Sequence, residues 1–305
     1  MKTPPISFKH WLGSLCIALL GLLSIDTAHG QIFVTDWGNN AIAEYSTAGS
    51  MLNSSLITGL NQPRGIVSSG TDLFFLTGTT IAEYTTAGVV VGAPLIPRLS
   101  GMADLALSGS DLFIGTGSKV VEYTTSGTLV SGTVASGYSS LGNIAISGSY
   151  LFILTNSGIS EYTTSGDVVN PSLVSVSNGE CIAASGSQLF VTTWLSAGAI
   201  NEYTLGAVAG TIASTTLSLV SGLYYPEGIT VSGEDLYVVT SGSNNIGEYT
   251  TSGATVNAAL VTGNHNFSYV TVVQPVPEPS TWAMLAAGFG VLLLYRRRTA
   301  KCSSR

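Results

Sequence analysis

Short apolar runs alternate with hydroxyl-rich and glycine-containing turns through the whole middle of the chain. Runs such as Ile144-Ala145-Ile146 and Leu151-Phe152-Ile153 are bounded by Ser-Gly or Thr-Ser-Gly turns. β-Branched and aromatic residues favour strands, and glycine supplies the positive φ that tight hairpins need. Because no segment of this region keeps a 3.6-residue apolar period, the pattern predicts short antiparallel strands and argues against stacked helical repeats.

A stretch reading Glu-Tyr-Thr-Thr-Ser-Gly, with small variations, recurs about every 40 residues. Its copies begin at Glu44, Glu83, Glu122, Glu161, Glu202 and Glu248. A second motif, Ser-Gly followed by two variable residues, Leu and an aromatic residue, precedes most copies, beginning at Ser69, Ser108, Ser147, Ser185 and Ser232. Each repeat therefore contains four short strands, and four strands in about 40 residues is the period of a β-propeller blade.

The two ends of the repeat region predict how the ring closes. The first copy begins at its second strand, Gln31 to Thr35, and has no first strand of its own. After the sixth copy, the stretch from Phe267 to Val273 is left over, and it can complete the first blade and remove the open sheet edge. The sequence thus predicts an all-β fold: a six-bladed β-propeller of four-stranded blades with strand-exchange closure, in which blade 1 joins residues 266–274 to residues 31–60.

Two repeats resemble the NHL family of six-bladed propellers. The run from Phe33 to Ile42 is similar to that family's Tyr-Val-Ala-Asp-x-x-Asn-x-x-Ile motif. The run from Pro226 to Val231, with the later Asn244-Asn245 pair, is similar to its Pro-x-Gly-Ile-Ala-Val opening and Asn-Asn turn. The arginine that usually follows the Asn-Asn pair is absent, since Ala41 and Ile246 stand there. The resemblance implies a fold over residues 31–274 and says little about activity.

The N-terminal residues, 1–30, have the pattern of a secretory signal peptide. Lys2 and Lys9 give a charged start, a mostly apolar run from Trp11 to Ile25 follows, and small residues precede a cleavage point between Gly30 and Gln31. The expected processing enzyme is signal peptidase. The alternative is an uncleaved anchor, and the polar Asp26-Thr27 break argues against it.

The C-terminal residues resemble the PEP-CTERM sorting signal of Gram-negative bacteria. The Pro277-Glu278-Pro279 motif is followed by an apolar run and then by three arginines starting at Arg296. The resemblance implies that Pro277, Glu278 and Pro279 are recognised by an exosortase in the inner membrane, which cuts the precursor. It also implies export to the cell surface or extracellular matrix, often alongside exopolysaccharide.

These signals predict five segments. They are a signal peptide (1–30), the propeller (31–274), a Pro-Glu-Pro linker (275–280), a transmembrane helix (281–295) and a basic cytoplasmic tail (296–305). Fifteen helical residues span about 22 Å, which is short for a bilayer core of about 30 Å, but the bilayer can thin and Trp282 and Tyr295 can anchor the ends. The other reading is a buried C-terminal helix, which the adjacent arginines disfavour.

Charge and chemically reactive residues narrow the function. Residues 31–275 contain only Arg64, Arg98 and Lys119 as cations, against 15 acidic residues, so nucleic acid is not an expected partner. Cys181 is the only cysteine of this region and is expected to be a small buried residue rather than a nucleophile. After signal removal His265 is the only histidine, so neither a Ser-His-Asp set nor a His-rich metal site is expected, and no cofactor is assigned.

The six repeated glutamates form a ring that could hold a cation. The alternative is structural, because the third strand of a blade is usually second from the outside, which places the carboxylates far from the axis and from one another. A buried carboxylate without partners is too costly to recur six times. We therefore expect each to accept hydrogen bonds from neighbouring Ser or Thr side chains or from backbone groups.

One rim of the propeller carries the candidate ligand residues. The connections between second and third strands, and between one blade and the next, share this rim, and aromatic rings among amides and carboxylates suit sugar rings; ordinary loop packing is the alternative. The candidate residues are Trp37, Asn39, Asn40, Arg64, Trp194, Tyr224, Tyr225, Glu227, Asn244 and Asn245, with Tyr138, Glu180 and His265 beside them.

The sequence thus predicts an exported, exosortase-processed protein of the cell surface or matrix, anchored in the inner membrane as a precursor. Its propeller is expected to be a non-catalytic interaction module for polysaccharide or a surface protein. Two alternatives remain: a propeller hydrolase or lyase with a channel metal, and a purely structural scaffold. Lactonases and lyases of this architecture use side chains that converge on the channel, and no such set of Asp, Glu, Asn or His is identifiable from sequence alone.

Overall fold

The repeats fold as the pattern predicts. In a computed structural model of the chain, the described residues are 30–78, 80–97, 99, 101–263, 265–274 and Gly288. Within this part, 24 strands form six four-stranded antiparallel sheets, and Gly30–Gln274 constitute one compact unit. The prediction of an all-β, six-bladed propeller is confirmed.

Each sheet is one blade. The first three are β1 (Gln31–Asp36), β2 (Ala41–Ser46) and β3 (Met51–Ile57); β4 (Ile66–Ser69), β5 (Asp72–Leu76), β6 (Thr80–Thr85) and β7 (Val90–Pro97); and β8 (Met102–Ser108), β9 (Asp111–Thr116), β10 (Lys119–Thr124) and β11 (Leu129–Ser136). The next three are β12 (Leu141–Ser147), β13 (Tyr150–Thr155), β14 (Gly158–Thr163) and β15 (Val168–Val174); β16 (Gly179–Ser185), β17 (Gln188–Thr193), β18 (Gly198–Leu205) and β19 (Ile212–Leu223); and β20 (Pro226–Ser232), β21 (Asp235–Thr240), β22 (Asn245–Thr250) and β23 (Thr255–Thr262). The last strand, β24 (Phe267–Val273), joins the first blade.

The ring is closed by the last strand pairing with the first. β24 occupies the innermost place of blade 1 in the order β24-β1-β2-β3, with Gln31 opposite Val273 and Val34 opposite Val270. The pairing removes the open edge that β1 would otherwise present. Both ends of the unit therefore lie on one face of the disc, because Gln31 and Val273 are direct cross-strand partners.

The core lies between the blades. Among the described residues, buried apolar side chains form six clusters, and each combines residues of two neighbouring blades. The tyrosine of the Glu-Tyr motif enters each cluster and packs towards the preceding blade; these residues are Tyr45, Tyr84, Tyr123, Tyr162, Tyr203 and Tyr249. These rings lie between neighbouring blades, and the repeat thus supplies one aromatic anchor per interface.

The repeated glutamates lie on the third strand of each blade, far from the channel. Each is directly opposite an aromatic residue of the second strand, as in the pairs Phe33–Glu44 and Tyr237–Glu248. The residue two places before that aromatic side chain lies on the same face. Gln31 donates to Glu44 at 2.6 Å, and Gln188 donates to Glu202 at 2.8 Å.

The other glutamates have different surroundings. Glu161 accepts the Gly210 amide at 3.0 Å, and Glu248 accepts the Tyr237 hydroxyl at 3.0 Å. Glu83 and Glu122 have no hydrogen-bond donor among the described residues. Burial raises the pKa of both, and the charge of the neighbouring aspartate, Asp72 or Asp111, raises it further. Four of the six glutamates thus accept a hydrogen bond. Only two of them receive it from the expected kind of donor: Glu161 from a backbone amide and Glu202 from the Thr204 hydroxyl at 3.3 Å.

The predicted signal peptide lies outside the described residues apart from Gly30, and so does the predicted transmembrane helix apart from Gly288. The predicted linker and basic tail also lie outside them. Within the part of the chain that is described, no helix is long and apolar enough to cross a bilayer.

Candidate functional site

The candidate residues lie around one face of the disc, where the innermost strands begin. We call this the rim face; it carries the turns 37–40 and 241–244 and the connections 58–65 and 224–225. The Gln31–Val273 pair lies at the opposite end of its strands, so both ends of the propeller unit leave from the other face.

Asn39 and Asn40 build the first rim turn. The Asn39 amide nitrogen donates to Asp36 Oδ2 at 2.7 Å, and its backbone N–H donates to Asp36 Oδ1 at 3.0 Å. Asn40 adopts a φ of 52°, a conformation that asparagine tolerates well, and its Oδ1 accepts the Gln62 amide at 2.9 Å. Both side chains are thus committed to local hydrogen bonds.

Asn244 and Asn245 play the same part in the sixth blade. Asn244 has a φ of 50°, and its amide nitrogen donates to the carbonyls of His265 and Ser241 at 2.7 and 3.0 Å. Asn245 donates to the Ala258 carbonyl at 3.1 Å. These two predicted ligand residues, like Asn39 and Asn40, hold turns.

His265 and Tyr138 also face inward. His265 Nδ1 lies 2.8 Å from Asp36 Oδ2, and its ring stacks on Phe267 with a centroid distance of 4.9 Å. The Tyr138 hydroxyl is buried without a hydrogen-bond partner among the described residues, and its ring packs edge-on against Tyr162 at 6.5 Å. Neither is presented as a ligand platform.

Three aromatic side chains form a continuous exposed patch on the rim face. The Tyr225 ring lies 5.3 Å from that of Trp194 and 4.9 Å from that of Tyr224, centroid to centroid. Trp194 is 39% exposed and Tyr224 is 48% exposed. We call these three residues the aromatic patch.

The backbone holds the aromatic patch in an unusual conformation. Tyr225 has a φ of 50°, which is rare for a bulky residue and costs on the order of 1 kcal/mol. Its N–H donates to the Leu195 carbonyl at 3.0 Å, and its carbonyl accepts the Ser241 backbone N–H at 3.1 Å. The Tyr224 ring covers Gly242, where a Cβ would lie 2.3 Å from the ring. Neighbouring loops thus fix the rings against a local backbone preference.

A pocket of about 340 Å³ adjoins the aromatic patch. Ser241 connects the two, since it bonds Tyr225 and also lines the pocket. The Trp37 side chain is 39% exposed beside the pocket. The residues lining it, which we call the rim pocket, are Trp37, Arg64, Glu227, Ser241, Asn266, Phe267 and Ser268. The structure thus brings together the predicted Trp37, Arg64 and Glu227, and adds four residues that the sequence did not single out.

The channel itself holds a second cavity, of about 290 Å³, lined by the innermost strands. Its walls are mostly Ile, Leu, Val and Ala, and Asp104, Cys181 and Tyr269 are among the lining side chains. Asp104 is buried, and its Oδ2 accepts the Ile144 amide at 3.1 Å. Asn143 is also buried; its amide donates to the Glu180 carbonyl at 2.5 Å, and its Oδ1 has no partner among the described residues.

The charges of Asp104, Glu180 and Glu227 all act on Tyr269, which lines the channel cavity. We call the surroundings of these three carboxyl groups the channel mouth. Burial raises the pKa of Asp104 to about 7, while the Ile144 and Leu105 amides lower it in part. Burial also raises the pKa of Glu227 to about 7, the charge of Glu180 raises it further, and Arg64 opposes both effects. Glu180 itself has a pKa raised by burial and lowered in part by Arg64. Carboxyl groups that change charge near neutral pH are typical of functional sites.

No converging set was identifiable from the sequence, and the structure places Asp104 in the channel wall and Glu227 in the rim pocket. A signal lies in the repeat register: Asn143, Cys181 and Tyr269 each directly precede the apolar residue at which regular pairing of the innermost strand resumes. Asp104 is itself the residue at which regular pairing begins, opposite Gly115, and Glu180 and Glu227 stand two places before the corresponding point in their strands. The pairing is irregular here, and such irregularities redirect side chains next to functional sites. No group of three His, Cys, Asp or Glu able to hold a metal occurs among the described residues.

Comparisons with known proteins agree with the fold and with the sorting signal. Residues 275–298 match the family model described as the PEP-CTERM protein-sorting motif, which confirms the resemblance based on Pro277, Glu278 and Pro279. The motif indicates an exported protein that an exosortase processes from a membrane-anchored precursor. No curated protein matches the chain in sequence.

Solved structures with a similar fold include several propellers. A chain from a nidogen/laminin complex has a TM-score of 0.65 at 12% identity, covering 80% of this chain and 98% of that chain. A gluconolactonase from Xanthomonas campestris has a TM-score of 0.56 at 11% identity, covering 80% and 91%. Virginiamycin B lyase from Staphylococcus aureus has a TM-score of 0.51 at 19% identity, covering 68% and 73%. At these identities the similarity concerns the fold alone.

Proposed function

We propose that the exported propeller binds polysaccharide across its rim face, at the cell surface or in the extracellular matrix of a Gram-negative bacterium. Exposed aromatic rings provide flat apolar surfaces for the faces of sugar rings, and polar groups beside them fix orientation. The aromatic patch and the adjoining rim pocket offer both. On this reading the propeller is a non-catalytic interaction module of residues 31–274, and residues 1–30 and 275–305 deliver it.

The observation that carries the proposal is the positive φ of Tyr225. A backbone cost at a half-buried aromatic residue of the surface is not required for stability, because asparagine or glycine would adopt the same φ at lower cost. Strained residues that persist on a surface are more often explained by a binding role. The contact distances to Trp194 and Tyr224 support one continuous platform.

The proposal is tested by affinity electrophoresis of the full-length protein in detergent through gels containing defined polysaccharides. Trp194→Ala and Tyr224→Ala should each weaken retardation by about tenfold, since stacking of one ring contributes roughly 1–3 kcal/mol by analogy with other planar ligands. Leu217→Ala is the control, because Leu217 is exposed on the outermost strand of blade 5. Absence of retardation by any polysaccharide, or equal retardation of all variants, would contradict the proposal.

A second candidate is acid–base cleavage of the bound glycan at the channel mouth. The pKa of Asp104 and that of Glu227 near 7 favour it, since a general acid and base work best near the operating pH. Release of reducing ends during incubation with the retained polysaccharide, abolished by Asp104→Asn and by Glu227→Gln, would support it. A constant reducing-end concentration would leave binding as the function.

A further inference from the structure

The charge around the rim pocket determines whether an acidic, neutral or basic sugar is favoured there. Glu227 lines the rim pocket together with Arg64, and the charge of Glu180 also acts on Glu227. Arg64 is the cation whose charge acts on Glu180 and Glu227. The other described cation, Lys119, donates to the Gly132 carbonyl at 2.7 Å, on the outer strand of blade 3. The channel mouth is therefore short of positive charge.

Arg64 does not neutralise these carboxyl groups by direct contact. It is exposed, and it forms no ion pair within 4.0 Å among the described residues, where the only pair of this kind is His265–Asp36. Glu227 is half-buried in the pocket wall and has no side-chain hydrogen-bond partner in the described part of the chain. A half-buried carboxylate without a donor is unfavourable, and it is stabilised by any cationic donor that enters the pocket.

The remaining walls suit a small ring that carries such a donor. The exposed Trp37 indole offers a face on which a cation or a sugar ring can lie. Ser241, Ser268 and Asn266 supply hydroxyl and amide groups at the sides. An acidic sugar would add a negative charge beside Glu180 and Glu227, and a neutral sugar would bring no cationic hydrogen-bond donor to Glu227.

We propose that the rim pocket takes an amine-bearing sugar, a glucosamine unit with a free amino group, whose ammonium group binds the Glu227 carboxylate while its ring packs on Trp37. This inference rests on the proposed polysaccharide-binding function and names its ligand class. The neighbouring sugar units of the bound polysaccharide then extend over the aromatic patch.

The test compares two tetrasaccharides that differ only in acetylation, tetraglucosamine and tetra-N-acetylglucosamine, by isothermal titration of the full-length protein in detergent. Because residues 31–275 are strongly acidic, a polycation is attracted to them without a specific site, so titrations are run at physiological salt, where long-range attraction is screened. The amine form should bind about tenfold more tightly than the acetylated form, as expected for one charge-assisted hydrogen bond in a partly buried site.

Two variants with the same change in net charge separate a specific site from general attraction. Glu227→Gln should reduce the affinity for tetraglucosamine about tenfold and leave that for the acetylated tetramer nearly unchanged. Glu234→Gln removes one charge from an exposed turn at the end of the strands opposite the rim face and should change neither affinity.

The outcomes are distinct. Equal losses of tetraglucosamine affinity in the two variants would show general electrostatic attraction and overturn the inference. Equal affinity of the parent protein for the two tetramers would also overturn the inference, but it would leave the proposed polysaccharide binding intact. Failure of the parent protein to bind either tetramer, or any polysaccharide in the gels, would overturn the proposed function together with the inference.

Discussion

His265 Nδ1 lies 2.8 Å from Asp36 Oδ2, and this contact joins the two ends of the propeller. Asp36 ends β1, whereas His265 stands just before β24, the strand that closes the ring. Asp36 is almost fully buried, so its carboxylate depends on the donors that His265 and Asn39 supply. The pair fastens the closure strand at the rim face.

We predict that breaking this pair destabilises the whole propeller. His265→Ala and Asp36→Ala should each lower the free energy of unfolding by about 1–3 kcal/mol. The first leaves the buried Asp36 carboxylate without one of its partners, and the second leaves the Asn39 and His265 groups that contact this carboxylate without it. The double variant should lose less than the two single losses added together, since both remove the same contact. Urea unfolding of the full-length protein measures this.

The control is Glu234→Ala on the exposed turn, which should change the free energy of unfolding by less than about 0.5 kcal/mol. Strict additivity of the Asp36 and His265 effects would show that the two residues do not act as a pair, and would contradict the role assigned to this contact.

The pH dependence of stability should carry the signature of Asp104. Burial raises its pKa from 3.8 to about 7, so the folded state favours the protonated carboxyl group. The stabilisation from this group is fully present below pH 4, near the unfolded pKa, and is lost as the pH rises through about 7. Of the groups around it, Cys181 and Tyr269 also have pKa values raised well above normal, chiefly by burial.

Asp104→Asn is therefore predicted to raise the free energy of unfolding relative to the parent protein only at higher pH. The amide keeps an acceptor for the Ile144 N–H and does not ionise, so the variant should gain roughly 2–4 kcal/mol over the parent at pH 8 compared with pH 4. Subtracting the free energy of unfolding of the parent from that of the variant at each pH removes the contribution of other titrating groups, including Glu227. A difference between variant and parent that is equal at pH 4 and pH 8 would refute the assignment.

The repeat itself indicates a stabilising substitution. Gln31 and Gln188 donate to the glutamate on the neighbouring strand, whereas Asp72 occupies the same place in blade 2 and its charge raises the pKa of Glu83. Asp72→Gln should remove the like-charge pair and add a donor, raising the free energy of unfolding by about 0.5–1 kcal/mol.

The reverse substitution, Gln31→Asp, is the matched control and should destabilise blade 1 by a similar amount. Both effects should shrink in 1 M salt, because part of each is repulsion between partly exposed charges. Thermal unfolding at the two salt concentrations distinguishes this from a packing effect, which would persist at high salt.

The architecture could be predicted from the sequence because it repeats. The six Glu-Tyr copies fixed the number of blades, and the unpaired stretch from Phe267 to Val273 implied the closure strand that the structure contains. Each such inference needed only local periodicity and the rule that a sheet edge must be covered. The tyrosine anchors followed from the same repeat.

The candidate site was harder to predict because it depends on where the repeat is broken. Asp104 and Tyr269 stand in different blades and meet only when the ring closes, so no spacing along the chain reveals them. In contrast, the Asn-Asn pairs were prominent in sequence but serve turns, as Asn40 shows with its φ of 52° and its bond to Gln62. The prominent Asn-Asn motifs thus serve the structure of turns, whereas the residues of the channel mouth are isolated departures from the repeat.

Tyr225 allows stability and binding to be separated. Its φ of 50° belongs to a region that the chain otherwise gives mostly to glycine and asparagine, as at Asn178 and Asn244. Tyr225→Asn should therefore relieve backbone strain of about 1 kcal/mol, offset in part by the lost contacts with Trp194 and Tyr224. We expect a free energy of unfolding within about 1 kcal/mol of the parent value.

Binding should respond differently, because the variant removes the central ring of the aromatic patch. Tyr225→Asn is expected to weaken polysaccharide retardation by at least about tenfold while the protein stays folded. Gln62→Asn is the matched control: Gln62 has a φ of 49° on another rim connection and lies outside the patch. This variant should lose a similar amount of backbone strain and should bind polysaccharide as the parent protein does. If Tyr225→Asn instead unfolds the protein and leaves the binding of its folded fraction unchanged, the ring serves packing, and the strain at Tyr225 has no connection with a ligand.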